Sequence, residues 1–364
     1  MIDLIRSFLA ERWGELRPGA ARPVAGIVIG ADRDPAAKVT ILFLDASGQP
    51  SAVAKVARQP QGEAGLGAEY EMLLRFSRLA SDWVRDQTPT PLALQRIGGR
   101  LVLLTTAVPG RPMRTAYYAP GHVTNRRRVE ADFAAATAWL ATFHRETMSA
   151  APLFGDAAQD LWVDRVIERY RSEIGWDEVE VDLFGRVRES ARDLQGLPIP
   201  LVASHGDYAI GNIMVESGRV AGLIDWERGD QARPPFRDIY KFPASYSMYL
   251  DRAAPGRHGS VRLGRDAFDG AWRRYGTWRH LPGIGFGFFG TGWLPDLVCH
   301  YVLAHLDRLG VTRAANAVFF PIFLAEEAMA LPDPVFRAGY RSIIHAVADT
   351  PQSSWLWTSE VAVR

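Results

Sequence analysis

The segment Ser204-His205-Gly206-Asp207-Tyr208-Ala209-Ile210-Gly211-Asn212-Ile213-Met214-Val215, followed by Gly222-Leu223-Ile224-Asp225-Trp226-Glu227, decides the fold of this 364-residue chain. Asp207 and Asn212 put a carboxylate and an amide oxygen at the two ends of one tight loop. Asp225 closes an apolar stretch, where a strand end would present it into the same cleft. Phosphoryl transfer needs such groups, because a carboxylate must accept the proton of the acceptor hydroxyl and oxygen atoms must hold Mg²⁺ against the phosphates.

Strand-like patterns and helix-like patterns dominate different parts of the chain. Apolar, β-branched runs bounded by turn residues predict strands in the first hundred residues, at 22–30, 38–45, 51–57, 91–96 and 101–106. Helical spacing of apolar residues predicts helices at 1–12, 64–80 and 125–147. Beyond the connector 108–112 most of the chain reads as helical, apart from a short β stretch near 213–225. This order predicts an α+β protein with little βαβ alternation.

Composition excludes several classes of partner. The net charge is +1, so no strong field indicates a nucleic-acid partner. No run of about 18 apolar residues could span a membrane. The single cysteine, Cys299, excludes an internal disulfide and fits a reducing compartment, so we expect a cytoplasmic protein. The oligomeric state stays open.

Lysine is rare, since only three of the 42 basic residues are lysines: Lys38, Lys55 and Lys241. Asparagine is equally rare, at positions 125, 212 and 316. Both residues use A-rich codons, so GC-rich coding depletes them. A lysine or asparagine that persists is therefore a candidate for a role that its substitutes cannot fill.

The pattern His-Gly-Asp-x-x-x-x-Asn followed by Ile-Asp-Trp-Glu resembles the catalytic loop and metal-binding segment of the aminoglycoside phosphotransferase and choline kinase superfamily. That group is similar in turn to eukaryotic protein kinases. The resemblance implies a two-lobed, protein-kinase-like fold. It also implies that Asp207 is the catalytic base, that Asn212 and Asp225 bind Mg²⁺, and that His205 is a structural brace.

The resemblance extends upstream to a nucleotide-binding lobe over residues 1–106. It implies that Lys55 on a strand binds the phosphates and pairs with a glutamate of the next helix, either Glu69 or Glu71. Residues 107–112 would form a hinge and residues 113–364 a helical lobe that binds the acceptor. The backbone groups that would meet the nucleobase belong to Thr105, Thr106 and Ala107. One departure is the loop 30–37, which is not glycine-rich and carries two carboxylates, Asp32 and Asp34.

Residues after the metal segment are candidates for the acceptor site. Glu227 and Asp230 follow Asp225 closely, and Tyr208 adds a hydroxyl next to the base, although a surface turn and core packing explain them equally well. By the same resemblance, Asp238 would hydrogen-bond the catalytic loop. The later region is rich in tryptophan, at positions 226, 272, 278, 293, 355 and 357, and most of these are expected in the core.

The sequence as a whole predicts a Mg²⁺-dependent phosphotransferase that moves the terminal phosphoryl group of ATP or GTP onto the hydroxyl of a small molecule. Two alternatives are a protein kinase and a pseudokinase that only binds nucleotide. A protein kinase is disfavoured by Ile-Asp-Trp-Glu in place of Asp-Phe-Gly, and a pseudokinase by the intact polar set. The Gly-x-Gly-x-x-Gly match at 285–290 has bulky variable positions and no preceding strand, so we expect a flexible or tightly packed element there.

Overall fold

The computed structural model describes residues 1–31, 38–79, 81–248, 250, 281–331, 333–351 and 353–357. These residues form two compact units. The first consists of Met1–Met113, His205–Asp207 and Gly211–Gln231. The second consists of Arg114–Ser204, Tyr208–Ile210 and the chain from Ala232 onward. The expected division at residues 106 and 113 follows chain order, whereas these units also place 205–207 and 211–231 with the N-terminal residues.

Ten strands are described, and their bounds are β1 Pro23–Ala31, β2 Lys38–Asp45, β3 Pro50–Ala57, β4 Pro91–Ile97, β5 Arg100–Thr106, β6 Arg111–Pro112, β7 Val202–Ser204, β8 Ile213–Glu216, β9 Arg219–Leu223 and β10 Asp230–Arg233. The first nine α-helices are α1 Ile2–Leu16, α2 Glu63–Ser77, α3 Asp82–Asp86, α4 Met113–Tyr117, α5 Arg126–Thr147, α6 Asp156–Gln159, α7 Arg165–Ile174, α8 Glu178–Arg192 and α9 Phe236–Met248. Four later helices span Pro282–Phe289, Trp293–Leu309, Ala315–Ala330 and Pro334–Ala348.

The first unit is built on an antiparallel five-stranded sheet in the order β1-β2-β3-β5-β4. One face of this sheet packs against α1, because Ile5, Leu9 and Trp13 recur every fourth residue and so share one helix face. They are buried against alternate strand residues such as Phe43 and Ala54. The helix α2 packs on the other face, where Leu66 contacts Leu103. This arrangement leaves the β3 side chains of that face beside α2.

A second sheet in the first unit contains the strands that connect Asn212 to Asp225. Strands β6, β8 and β9 pair in the order β6-β8-β9, and the turn between β8 and β9 uses Ser217 and Gly218 in left-handed conformations. Gly222 on β9 has a φ of 155°, and a Cβ there would overlap the carbonyl of Gln87. Its lack of a side chain lets Leu223 N–H donate to that carbonyl at 3.0 Å. The strand end before Asp225 is fixed by this contact.

The second unit is helical and holds an aromatic core. Phe133 of α5 lies edge-on to Phe242 and Tyr246 of α9, with ring centroids 5.0 and 5.1 Å apart. Tyr301 of the helix Trp293–Leu309 completes the cluster at 5.5 Å. Edge-to-face packing of this kind adds stabilisation beyond that of the buried area.

The predicted α+β class is confirmed, and the predicted strands and helices of the first hundred residues are found within a few residues of their expected bounds. Helix α2 ends at Ser77, three residues before the prediction, because the amides of Arg78 and Leu79 close a tight final turn. The prediction was wrong in leaving out the short strands β6, β7 and β10, whose two to four residues show no alternating pattern. The expected turn at 32–37 lies outside the described residues.

The glycine-rich stretch at 283–292 is a packed element. The helix Pro282–Phe289 is buried along almost its whole length. A Cβ at Gly283 or Gly287 would overlap Ser247 of α9, so these two glycines, one helical turn apart, allow the helices to approach closely. No helix of the described residues is long and apolar enough to cross a membrane.

Candidate active site

The His-Gly-Asp segment closely approaches the turn that follows Asp225. Gly206 has a φ of 74°, and a Cβ at this position would overlap the carbonyl oxygen of Arg228. The left-handed conformation and the short approach both require glycine. The glycine of the motif therefore brings the loop bearing Asp207 against the segment bearing Asp225.

His205 joins the same two segments by hydrogen bonds. Its Nδ1 accepts from the Asp207 amide at 3.2 Å, so its Nε2 carries the proton and donates to the carbonyl of Ile224 at 3.0 Å. The ring is fully buried, with its centroid 4.4 Å from that of Trp226. With both nitrogens used, the histidine supports the loop and is not available for chemistry.

Asn212 orients the carboxylate of Asp207. Its Nδ2 donates to Asp207 Oδ2 at 2.9 Å and to the Asp207 carbonyl at 3.0 Å. Residues 207–212 thus form a closed loop in which the Asn212 side-chain nitrogen is bonded to the Asp207 carboxylate. Asn212 Oδ1 is then turned away from Asp207, as a metal ligand would have to be.

Asp225 has a left-handed backbone with a φ of 72°. A non-glycine residue in this region is uncommon, and such conformations cluster at functional sites. The backbone amide of the next residue, Trp226, donates to Glu69 Oε1 at 3.3 Å. The Trp226 ring packs edge-on against that of Phe76, with ring centroids 4.6 Å apart. The buried Trp226 therefore fixes the backbone at Asp225, and this backbone sets the direction of the Asp225 side chain.

Lys55 lies between two carboxylates. Its Nζ is 2.7 Å from both oxygens of Glu69 and 2.7 Å from Asp225 Oδ1. Burial by itself would lower the pKa of Lys55, but Glu69 and Asp225 together hold this pKa above its ordinary value. Burial also raises the pKa of Asp225, yet the attraction of Lys55 outweighs it and the pKa is lowered. Both groups are therefore charged at neutral pH.

The open choice between two glutamates is decided by helix geometry. Glu69 is almost fully buried on the α2 face that meets the sheet, whereas Glu71 is exposed. Two residues along a helix rotate a side chain by about 200°, so only one of them can face Lys55.

A mostly apolar row of side chains lies next to Lys55 on its face of the sheet, and no motif in the sequence pointed to it. Val53 lies two residues before Lys55, and therefore on the same face. Leu42 is directly opposite Val53 on β2, and Ile27 is opposite Leu42 on β1. On the other side, Thr105 is opposite Val53. The alternation of side chains along each strand indicates which residues share a face, but only the pairing register of β1, β2, β3 and β5 shows which residues are opposite each other.

Two backbone amides of the segment predicted to meet the nucleobase are hydrogen-bonded to other parts of the protein. The Thr106 amide donates to the Thr90 carbonyl at 2.9 Å, and the Ala107 amide lies 3.5 Å from the Ser51 carbonyl. Thr105 is a buried β5 residue. The Thr106 and Ala107 amides are thus used within the protein, and the role of residues 105–107 in binding a nucleobase stays a prediction.

The predicted acceptor residues lie in different surroundings. Glu227 forms an ion pair with Lys38. Asp230 is exposed at the start of β10. Tyr208 is fully buried in the second unit, where its hydroxyl donates to the Ala136 carbonyl at 2.8 Å and its ring stacks on Trp139. The core-packing alternative therefore accounts for the Tyr208 hydroxyl.

Two further predictions concern buried or undescribed residues. Asp238 is fully buried in the first turn of α9, and its charge helps burial to raise the pKa of Tyr208. It therefore lies near the residue that follows Asp207 in the chain, while its bond to the catalytic loop stays a prediction. Trp226 is in the core, as expected, whereas Trp293, Trp355 and Trp357 are only partly buried, so among the described tryptophans of this set the prediction was wrong for three of four. Trp272 and Trp278 lie outside the described residues.

The side chains fit a magnesium site. Mg²⁺ prefers oxygen ligands, commonly one or two from the protein with the rest from phosphates and waters. Asn212 presents an amide oxygen because its nitrogen is bonded to Asp207. Asp225 presents Oδ2 because Lys55 contacts its other oxygen. These two residues would hold the ion, which would supply positive charge to offset that of the donor phosphates.

The site combines a carboxylate oriented by an amide, a second carboxylate on a strained turn, and a lysine paired with a buried glutamate. A profile of the phosphotransferase enzyme family, APH, matches residues 37–259, which is more than half of the chain. The chain belongs to this family. As an APH family member it is a phosphotransferase with an α+β, kinase-like fold.

Solved structures that match the chain include aminoglycoside phosphotransferases. A putative aminoglycoside phosphotransferase from Ralstonia eutropha JMP134 is 15% identical, with 93% of this chain and 97% of that chain covered at a TM-score of 0.47. The enzyme APH(3'')-Id from Streptomyces rimosus is 19% identical, with 85% and 99% covered at a TM-score of 0.39. A mutant of APH(4)-Ia in complex with ADP and hygromycin B is 13% identical, with 93% and 98% covered at 0.44. No curated protein matches the sequence significantly.

Proposed function

We propose that this APH family protein transfers the terminal phosphoryl group of ATP or GTP, with Mg²⁺, to a hydroxyl of a small molecule. The observation that carries the proposal is the linked set in the first unit, where Lys55 contacts Glu69 and Asp225 while Asn212 holds Asp207. This set supports the proposal because it contains a cation that can bind phosphate, oxygen atoms that can hold a metal ion and a carboxylate that can accept a proton.

Asp207 is assigned as the base. Its carboxylate is held from one side by Asn212, and its backbone amide is bonded to His205. A carboxylate positioned in this way can accept the proton of the attacking hydroxyl as the bond to phosphorus forms. Since the donor does not need this proton acceptor in order to bind, catalysis and nucleotide binding can be separated by mutation.

The acceptor class is proposed from the size of the second unit. More than a hundred residues follow Asp238, and they are largely apolar and aromatic, enough to enclose a pocket for a sugar- or ring-bearing metabolite or antibiotic. A pocket that excludes water would also limit hydrolysis of the nucleotide. A resistance-type kinase is the physiological role that we propose.

Labelled nucleotide transfer to a panel of natural-product alcohols and to protein substrates tests this function. We expect label on a small molecule with wild-type protein and a loss of about 10²–10⁴-fold with Asp207→Asn, while Mg-nucleotide affinity is kept. Label on proteins alone would contradict the proposed acceptor class.

The metal assignment has a separate test. Asp225→Asn removes a charged ligand, so we expect nucleotide binding to lose its dependence on Mg²⁺, measured by titration at fixed nucleotide. Magnesium dependence like that of the wild type would show that another carboxylate holds the ion.

A further inference from the structure

A second lysine–glutamate pair lies beside the first. Lys38, the first residue of β2, contacts Glu227, which follows Asp225 by two residues on a 3₁₀ turn. Only 10% of the Lys38 side chain is exposed, close to the 12% of Lys55, whereas Glu227 is 32% exposed. A lysine so buried beside a partly open carboxylate is not an ordinary surface ion pair.

Both pairs lie along one face of α2. Glu69 contacts Lys55, and Gly65, one turn earlier on the same face, adjoins the second pair. A Cβ at Gly65 would be 3.1 Å from Lys38 Nζ and would overlap the Glu227 carboxylate. The glycine thus provides the space in which Lys38 and Glu227 meet.

The Lys38–Glu227 pair adjoins the proposed metal ligand, because Glu227 lies on the short turn that begins directly after Asp225. Lys55 already divides its charge between two carboxylates. The donor triphosphate would add further negative charge at Asp225, so a second ammonium within Coulomb range favours its binding.

We infer that Lys38 is a second ligand of the donor phosphates and that Glu227 is its positioning residue. This inference rests on the proposed function and gives Glu227 a role on the donor side, in place of the acceptor contact expected from sequence. Glu227 holds the Lys38 ammonium as Glu69 holds that of Lys55. Lysine suits this place because it is a compact charge with three donors, which a phosphate oxygen can share with a carboxylate.

Nucleotide affinity without acceptor tests the inference. The 364-residue chain is titrated with ATP and GTP, their diphosphates and the free nucleosides, each with Mg²⁺. Lys38→Met and Lys38→Gln should weaken triphosphate binding about tenfold and leave nucleoside affinity unchanged. Glu227→Gln should weaken it by a smaller factor and leave the acceptor KM unchanged.

Two reference variants separate the possible outcomes. Arg96→Met breaks the Arg96–Glu63 pair of the same unit and should leave affinity unchanged, whereas Lys55→Met should weaken triphosphate binding strongly. Wild-type triphosphate affinity in both folded Lys38 variants, with Lys55→Met impaired, would overturn the inference alone. A Glu227→Gln effect confined to acceptor KM would also overturn it. Failure of the wild type to bind any nucleotide would instead reject the proposed function.

Discussion

At the scale of single residues, the rare side chains of this chain are engaged in specific contacts. Each of the three lysines pairs with a glutamate, and their side chains are 10–12% exposed. Asn125 caps α5, Asn212 holds Asp207, and Asn316 accepts from the Tyr240 hydroxyl. In a chain that otherwise uses arginine, these lysines occupy buried sites where we expect a compact ammonium to be required in place of a planar guanidinium.

Lys55→Arg tests this requirement while keeping the charge. Lys55 Nζ is 2.7 Å from three carboxylate oxygens, and a larger planar group cannot occupy that point without moving Glu69 or Asp225. We expect kcat/KM to fall about a hundredfold or more, by analogy with loss of a fixed charge-stabilising donor. Transfer assays are compared with Arg96→Lys, which changes an exposed arginine of the same sheet that pairs with Glu63 of α2. Full activity of Lys55→Arg would show that the lysine is dispensable.

At the scale of elements, glycine has opposite effects in two helices. In Pro282–Phe289, Gly283 lies where a Cβ would overlap the Ser247 carbonyl, so the helix is as close to α9 as the backbone allows. In α8, Gly185 is exposed, and a Cβ added there would have no atom within 4 Å. Helix propensity favours alanine at both positions, and only packing separates them.

Alanine substitutions at these two glycines should therefore change stability in opposite directions. We expect Gly283→Ala to lower the free energy of unfolding by about 1–3 kcal/mol, because a main-chain oxygen cannot turn aside. Gly185→Ala should raise it by about 0.5–1 kcal/mol by improving helix propensity. Thermal and urea unfolding measure both. Equal effects of the two changes would mean that the contact between Pro282–Phe289 and α9 is not tight.

At the scale of the whole molecule, buried histidines make stability depend on pH. Burial lowers the pKa of His144 to about 3, and burial with the proximity of His144 and the charge of Arg308 lowers that of His305. Neither ring nitrogen of His144 has a hydrogen-bond partner among the described residues, and the same holds for Nε2 of His305. Both histidines are therefore neutral in the folded protein at pH 7.

The sign of the pH effect follows from these lowered pKa values. Above about pH 6.5, the ordinary histidine pKa, these histidines are neutral in both the folded and the unfolded protein, so they add no pH dependence to the free energy of unfolding. As the pH falls below it, the unfolded chain binds a proton that folded His144 does not, so stability is lost at up to about 1.4 kcal/mol per pH unit for each histidine. His144→Leu should reduce the slope of unfolding free energy between pH 7 and 5. The exposed His300→Leu is the control, and equal slopes in wild type and His144→Leu would refute the prediction.

The sequence by itself determined the α+β class, the strands and the two long helices of the first hundred residues to within a few positions, and the polar set 205–225, but it missed the short helix α3. These features depend on local patterns: alternation of apolar residues, helical spacing, turn residues and a motif within about twenty positions. The short strands β6, β7 and β10 escaped prediction because two to four residues carry too little pattern.

Only the tertiary structure decided how distant residues meet. Glu69 rather than Glu71 contacts Lys55 because α2 presents one face to the sheet, and Tyr208 is withdrawn into the core of its unit. Lys38 and Glu227 are 189 positions apart, and their meeting depends on the register of β2 and on the room left by Gly65. Side-chain chemistry is written in the sequence, but contact across such separations follows from the packing of whole elements, which no local pattern contains.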